Sequence, residues 1–294
     1  MKKSGGSSKI RLTKMPVKIP QTKASTESGP MGVPTEVSSA KAPTKVPRQG
    51  WKTVFYVLGL SAWVITVIIG AQFMLAVPAS MIFPENIVST TLFNALFSLA
   101  TYGLALFVLL WLTPRIVEKF QEKILKNKPY PVKIDRIRMG LFGLPTWTDI
   151  GLAPIGYIAS ILIAAGLTLL FKLFPWFDSG QAQELGYTAY MQGWERGVAF
   201  IALVVIAPIA EELVFRGFLY GKLRIKIPKW LAILITSLIF GLIHLQWNVG
   251  LTVFAMSLVT CTMREITGTI YAGMLVHMIN NGVAFFLVYV IGMV

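Results

Sequence analysis

Apolar residues in this chain are gathered into seven runs, at about 54–76, 91–112, 150–174, 195–216, 231–247, 249–263 and 269–294, separated by short polar stretches. A helical crossing of a bilayer takes roughly 20 apolar residues. The pattern therefore predicts an all-α, polytopic transmembrane bundle of seven or eight spans over residues 51–294. The run at 249–263 is the shortest and reads as a tilted or partly re-entrant segment. Trp51, Trp111, Trp176, Trp194, Trp230 and Trp247 fall at or near the proposed ends, where interfacial aromatic belts form. No internal repeat stands out.

Residues 1–50 break the pattern. They are rich in Lys, Ser, Thr, Pro and Gly and have no apolar period, which predicts a disordered basic tail. A secretory signal is not expected, because the first apolar run begins some fifty residues in and is too long for one. The tail carries ten Lys or Arg against two acidic residues, out of a net charge of +14. Beside a membrane span, such an excess points to lipid headgroups and cytoplasmic retention rather than nucleic acid, and no nucleic-acid-binding motif is present. The loops agree with this reading. The segment 114–149 has eight Lys or Arg against four acids, and 217–230 has Lys222, Arg224, Lys226 and Lys229, whereas 77–90 and 175–194 have no basic residue. Basic and non-basic loops alternate, which predicts a cytoplasmic N-terminus. Composition reinforces the membrane class: the chain is 55% hydrophobic and 14% charged, with a mean hydropathy of +0.66. Its single cysteine, Cys261, lies in an apolar run and reads as a small buried residue.

Against this background the ionisable residues within the runs stand out, since charge within a bilayer costs a few kcal/mol or more. Three groups occur: Glu211, Glu212 and Arg216 in EELVFR; Phe240 and His244 in FGLIH; and His277, Asn280 and Asn281 in HMINN. The chain has only two histidines, and both are in these groups. At 1.5 Å per residue, the three groups lie roughly 9–20 Å from the predicted cytoplasmic face, so packed helices can bring them together. Glu212 and Arg216 are i,i+4 neighbours and can pair on one face. Glu211 is turned about 100° away from Glu212 and is left free to face a cavity. Pro208 removes a backbone donor one turn earlier. Both Asn280 and Asn281 are within helical reach of His277.

These residue types suit hydrolysis of an amide without a covalent nucleophile. A carboxylate is a general base for water, imidazoles orient that water, and an asparagine amide is a neutral oxyanion donor. Glu211, His244 and His277 also form a conceivable zinc set, but HExxH is absent, as are the serine motif GxSxG and the aspartyl motif GxGD. Each part also has a structural reading: Glu212–Arg216 as a stabilising pair, Asn281 as interhelical glue, and Phe240 as packing.

The three groups, in this order, resemble the CPBP family of intramembrane endopeptidases (also called Abi), bacterial relatives of the CAAX prenyl endopeptidases. That family's pattern is EExxxR, FxxxH and HxxxN or HxxxB, and the likeness covers about 195–285. The resemblance implies a helical protease core with Glu211 as the water-activating residue, His244 as its partner in positioning water, and His277 with Asn281 on the oxyanion side. Glu212 and Arg216 would support the geometry. The family has been described both as metal-dependent and as glutamate-dependent, and the missing HExxH favours the second, with no cofactor required. The expected substrate is a peptide or membrane protein, prenylated or not, and the expected location a bacterial plasma membrane. Two other readings compete: a catalytically idle bacteriocin-immunity or binding protein of the same fold, and a small transporter.

Overall fold

A computed structural model describes residues 50–123, 136–178, 180, 187, 191 and 193–292. The chain divides into two units, Met1–Lys45 and Val46–Val294. The described residues all belong to the second unit, and the tail expected over 1–50 lies, apart from Gly50, outside them.

Among the described residues seven principal helices follow one another: α1 (Trp51–Ile82), α2 (Thr91–Lys123), α3 (Trp147–Phe171), α4 (Trp194–Leu223), α5 (Lys229–Leu242), α6 (Trp247–Thr267) and α7 (Tyr271–Ile291). There is no strand among the described residues. All but α5 are long and apolar enough to cross a membrane. Each apolar run thus becomes one helix, with three corrections at the ends. The run at 249–263 was expected to be short, yet α6 has 21 residues. The short helix is instead α5, with 14 residues. Both α2 and α4 continue beyond their expected ends at 112 and 216.

Each of those two helices carries a proline that does not end it. Before Pro114 the backbone widens into a π-helical turn, Val108–Leu112, and the Thr113 hydroxyl donates to the Val108 carbonyl at 2.7 Å. Before Pro208 the same device appears over Ile201–Ile206, where the Ala207 N–H reaches the Ala202 carbonyl five residues back. A π turn absorbs a missing donor without ending the helix, and such turns recur at functional sites. In α4 a second π-helical stretch, Leu213–Tyr220, follows, so Glu211 and Glu212 sit on a single α-helical turn, Ala207–Glu212, between two widened segments.

The central helices are α4 and α6, whose most apolar stretches are 50% and 44% buried, against 17–22% for α1, α2, α3 and α7. The helix bearing most charge is thus the one most enclosed. It packs against α2, α5 and α7, while α6 packs against α3, α5 and α7. The outer helices turn large apolar side chains outward, among them Phe55, Phe73, Leu96, Phe107, Ile155 and Leu162. Lipid is the natural solvent for such a surface. Between α5 and α6 the backbones come close at two glycines. A Cβ at Gly241 would stand 2.7 Å from the Gly250 carbonyl oxygen, and one at Gly250 would stand 2.8 Å from that of Gly241. Small residues let membrane helices touch backbone to backbone, and this contact pins the turn that carries His244.

At the other end of α6, Arg264 is almost fully buried and donates to the carbonyls of Gly217 (3.4 Å) and Arg138. It ties the segment before α3 onto α4. Glu265 takes Arg224 (2.6 Å) and Lys229, bracing the α4–α5 connection.

Candidate active site

The α-helical turn of α4 presents its two adjacent acids to different partners. Glu212 is fully buried, and its Oε1 lies 2.9 Å from Arg216 Nη1. The Arg216 guanidinium stacks over the Phe240 ring at 4.5 Å. Among the described residues, Nε and Nη2 of Arg216 have no hydrogen-bond partner. The carboxylate and the ring face therefore carry the compensation for a fully buried cation. The far oxygen of Glu212, Oε2, lies where a Cβ on Gly273 would come within 3.1 Å of it. Glycine at that position lets α7 close on the acid.

Glu211 is the less buried of the two, with 16% of its side chain exposed against 0% for Glu212. The Tyr102 hydroxyl, from α2, donates to its Oε1 at 2.5 Å. Its Oε2 faces His277 Nε2 at 3.7 Å. The other ring nitrogen, His277 Nδ1, is 3.3 Å from Glu212 Oε1. One imidazole from α7 thus stands between two sequence-adjacent carboxylates. In the neutral ring, with Glu212 Oε1 accepting, Nδ1 carries the proton and Nε2 presents a lone pair towards Glu211. Two acceptors then face each other across a gap longer than the 2.7–3.2 Å typical of a direct hydrogen bond. A water molecule donating one proton to each fits such a gap.

His244 is placed differently from expectation. It is not inside a helix: α5 ends at Leu242 with Ile243 as its cap, and His244 lies in the turn to α6. Its Nδ1 is 2.8 Å from the Phe240 carbonyl, one of the last carbonyls of α5. A carbonyl cannot donate, so Nδ1 carries the proton, and in the neutral ring Nε2 is then the acceptor. His244 and His277 both meet the Phe240 ring edge-on, with centroids 5.1 and 5.8 Å from it. Phe240, fully buried, is thus the divider between the two imidazoles as well as the platform for Arg216.

Asn281 turns to α4. Its amide donates to the Leu203 carbonyl at 2.9 Å, and its Oδ1 accepts from Asn280 at 3.2 Å. In the π-helical pattern the Leu203 carbonyl would bond to the N–H of residue 208, which proline lacks. Asn281 therefore fills the vacancy that Pro208 creates. Asn281→Ala is expected to lower stability by about 1 kcal/mol. Combined with Pro208→Ala it should cost less than the two changes summed, because a non-proline residue at 208 supplies its own donor. A thermal double-mutant cycle in detergent measures this coupling.

The structure thus gathers Glu211, Glu212, Arg216 and His277, sets His244 across Phe240, and gives Asn281 an interhelical bond. Tyr102 was not among the expected residues. Its only signal is a hydroxyl, beside Thr101, in mid-span and far from either aromatic belt. The metal set conceived from Glu211, His244 and His277 is not brought together as one group among the described residues. No group of three or more His, Cys, Asp or Glu side chains among the described residues is arranged to hold an ion. Both His277 nitrogens face carboxylates of α4, and His244 is held apart by Phe240.

Residues 169–283 match the family described as type II CAAX prenyl endopeptidase Rce1-like. All the residues of the three motifs lie within that stretch, and Tyr102 lies outside it. The chain is 36% identical over 104 residues to the UPF0177 protein YbdI of Lactococcus lactis, and 33% identical over 86 residues to an uncharacterized 24.3 kDa protein of Escherichia coli. The first match covers 34% of this chain and 52% of the relative; the second covers 28% and 40%. The chain therefore spans about half the length, or less, of these relatives. No solved structure matches. With the three motifs set around one buried ion pair and the family match running through all of them, residues 169–283 of this integral membrane protein are similar to the Rce1-like family of type II CAAX prenyl endopeptidases.

Proposed function

We propose that the protein is an intramembrane endopeptidase that hydrolyses peptide bonds with a water molecule activated by Glu211. The observation that carries this reading is the placing of His277 between the two acids. Glu212, held by Arg216, takes Nδ1–H and fixes the imidazole. Nε2 and Glu211 Oε2 then hold a water by both its hydrogens. The oxygen lone pairs of that water point outward to a scissile carbonyl. As the oxygen attacks carbon, its proton passes to Glu211, and the carbonyl becomes a tetrahedral oxyanion. Breakage of the C–N bond follows, with Glu211 returning the proton to the leaving amine. Asn281 keeps one amide hydrogen beyond its bond to Leu203 for the oxyanion. His244 offers Nε2 as a second acceptor at the site. On this reading His277, more than His244, is the immediate partner of Glu211.

The basic loops support a cytoplasmic N-terminus and delivery of substrate from the cytoplasmic side. The two bacterial relatives support a bacterial plasma membrane. The test is cleavage by the purified full chain in liposomes of an internally quenched peptide ending in a farnesylated Cys–aliphatic–aliphatic–X sequence, and of the same peptide without the prenyl group. Cleavage of at least one, undiminished by EDTA, is the expected result. Loss of cleavage with EDTA and its return with zinc would overturn the water mechanism, and cleavage of neither peptide would count against the protease reading.

A further inference from the structure

The family match begins at residue 169, yet one oxygen of the proposed base is held from far outside it. We propose that Tyr102 is a positioning residue for Glu211: its hydroxyl engages Oε1 and so presents Oε2, and only Oε2, to His277. This inference rests on the proteolytic reading above. The hydrogen bond, at 2.5 Å, is at the short end of the range for a hydroxyl donating to a carboxylate. Tyr102 is partly buried in mid-span, on a helix that packs directly against the α4 turn bearing the acid.

The need for such a group follows from carboxylate geometry. The terminal torsion of a glutamate is broad and nearly two-fold, so an untethered carboxylate samples many orientations. Glu212 is held by Arg216 and His277 together. Glu211, being partly exposed, has on its Oε2 side the 3.7 Å approach of His277. Engagement of Oε1 by a fixed phenol removes one oxygen from the competition for water. It also sets the plane of the other towards Nε2. Misplacement of a reacting group by about 1 Å can cost about 100-fold in rate. The tyrosine gains or loses no proton over the reaction; it acts through Glu211.

The test compares wild type, Tyr102→Phe and Glu211→Gln in the full chain, using the farnesylated quenched peptide and thermal unfolding in detergent. The phenyl ring of Tyr102→Phe preserves the packing. The expected result is a fall in kcat of about 10- to 100-fold with KM within about twofold and an unchanged melting curve. Unchanged kcat, or a raised KM with normal kcat, would overturn the positioning role, as would a variant that fails to fold, since the hydroxyl would then be structural. If Glu211→Gln is as active as wild type, the protease mechanism itself fails. If Glu211→Gln is inactive and Tyr102→Phe is normal, only the inference about the tyrosine fails.

Discussion

Arg216→Met is expected to destabilise the folded protein by about 3–5 kcal/mol, the usual cost of leaving a buried charge without its partner. Both side chains of the Glu212–Arg216 pair are fully buried, and Glu212 Oε2 has no hydrogen-bond partner among the described residues. Removing the cation therefore strands a carboxylate in the most enclosed helix of the bundle. Arg216→Lys should rescue little, because an ammonium lacks the flat guanidinium that covers the Phe240 ring. Replacing both partners, Glu212→Leu with Arg216→Met, should recover much of the stability, since neither charge is then left alone. The double variant should still be inactive, because His277 loses the acceptor that fixes Nδ1. Chemical denaturation in detergent, read beside peptide cleavage, separates the two effects. A single Arg216→Met variant as stable as wild type would contradict the account of this pair.

The helices were legible because each buries or exposes a continuous apolar run, and hydropathy registers that directly. The pairing of Glu212 with Arg216 was legible because it is local, four residues apart on one helix. Helix ends were less so. Pro114 and Pro208 read as stops or kinks, and the π-helical turns that absorb them have no compositional mark. Past the end of α5 the run at 231–247 alternates apolar and polar residues, with His244 and Gln246 between Ile243, Leu245 and Trp247, and this pattern does not by itself say that the backbone turns at Ile243 or that Leu245 takes a positive φ of 56°. His244 was accordingly assigned to the wrong kind of backbone, though to the right neighbourhood. The contacts joining Tyr102 to Glu211 and Asn281 to Leu203 span 109 and 78 residues. Each depends on how helices rotate against one another, and a single sequence does not encode that in any local pattern. The motif residues announced a site, whereas the partner of each nitrogen and oxygen emerged only from packing.

Glu211→Gln is expected to lower the rate of peptide cleavage by about 1,000-fold, within the range of a general base's contribution. The substitution keeps shape, volume and an Oε1 acceptor for Tyr102, so the bundle should fold as before. What it removes is basicity at the oxygen facing His277 Nε2. An amide there cannot take the proton of an attacking water, and its NH2 group, if turned towards Nε2, would bond the imidazole directly and displace that water. Glu212→Gln differs in kind, because it weakens the hold on Arg216 and should lower stability along with activity.

Single-turnover cleavage of the farnesylated quenched peptide, with enzyme in excess, by wild type and by Glu211→Gln of matched melting temperature, tests the central claim most directly. The account predicts hydrolysis by wild type and a rate for the variant slower by about three orders of magnitude. A folded Glu211→Gln protein that cleaves at the wild-type rate would contradict it.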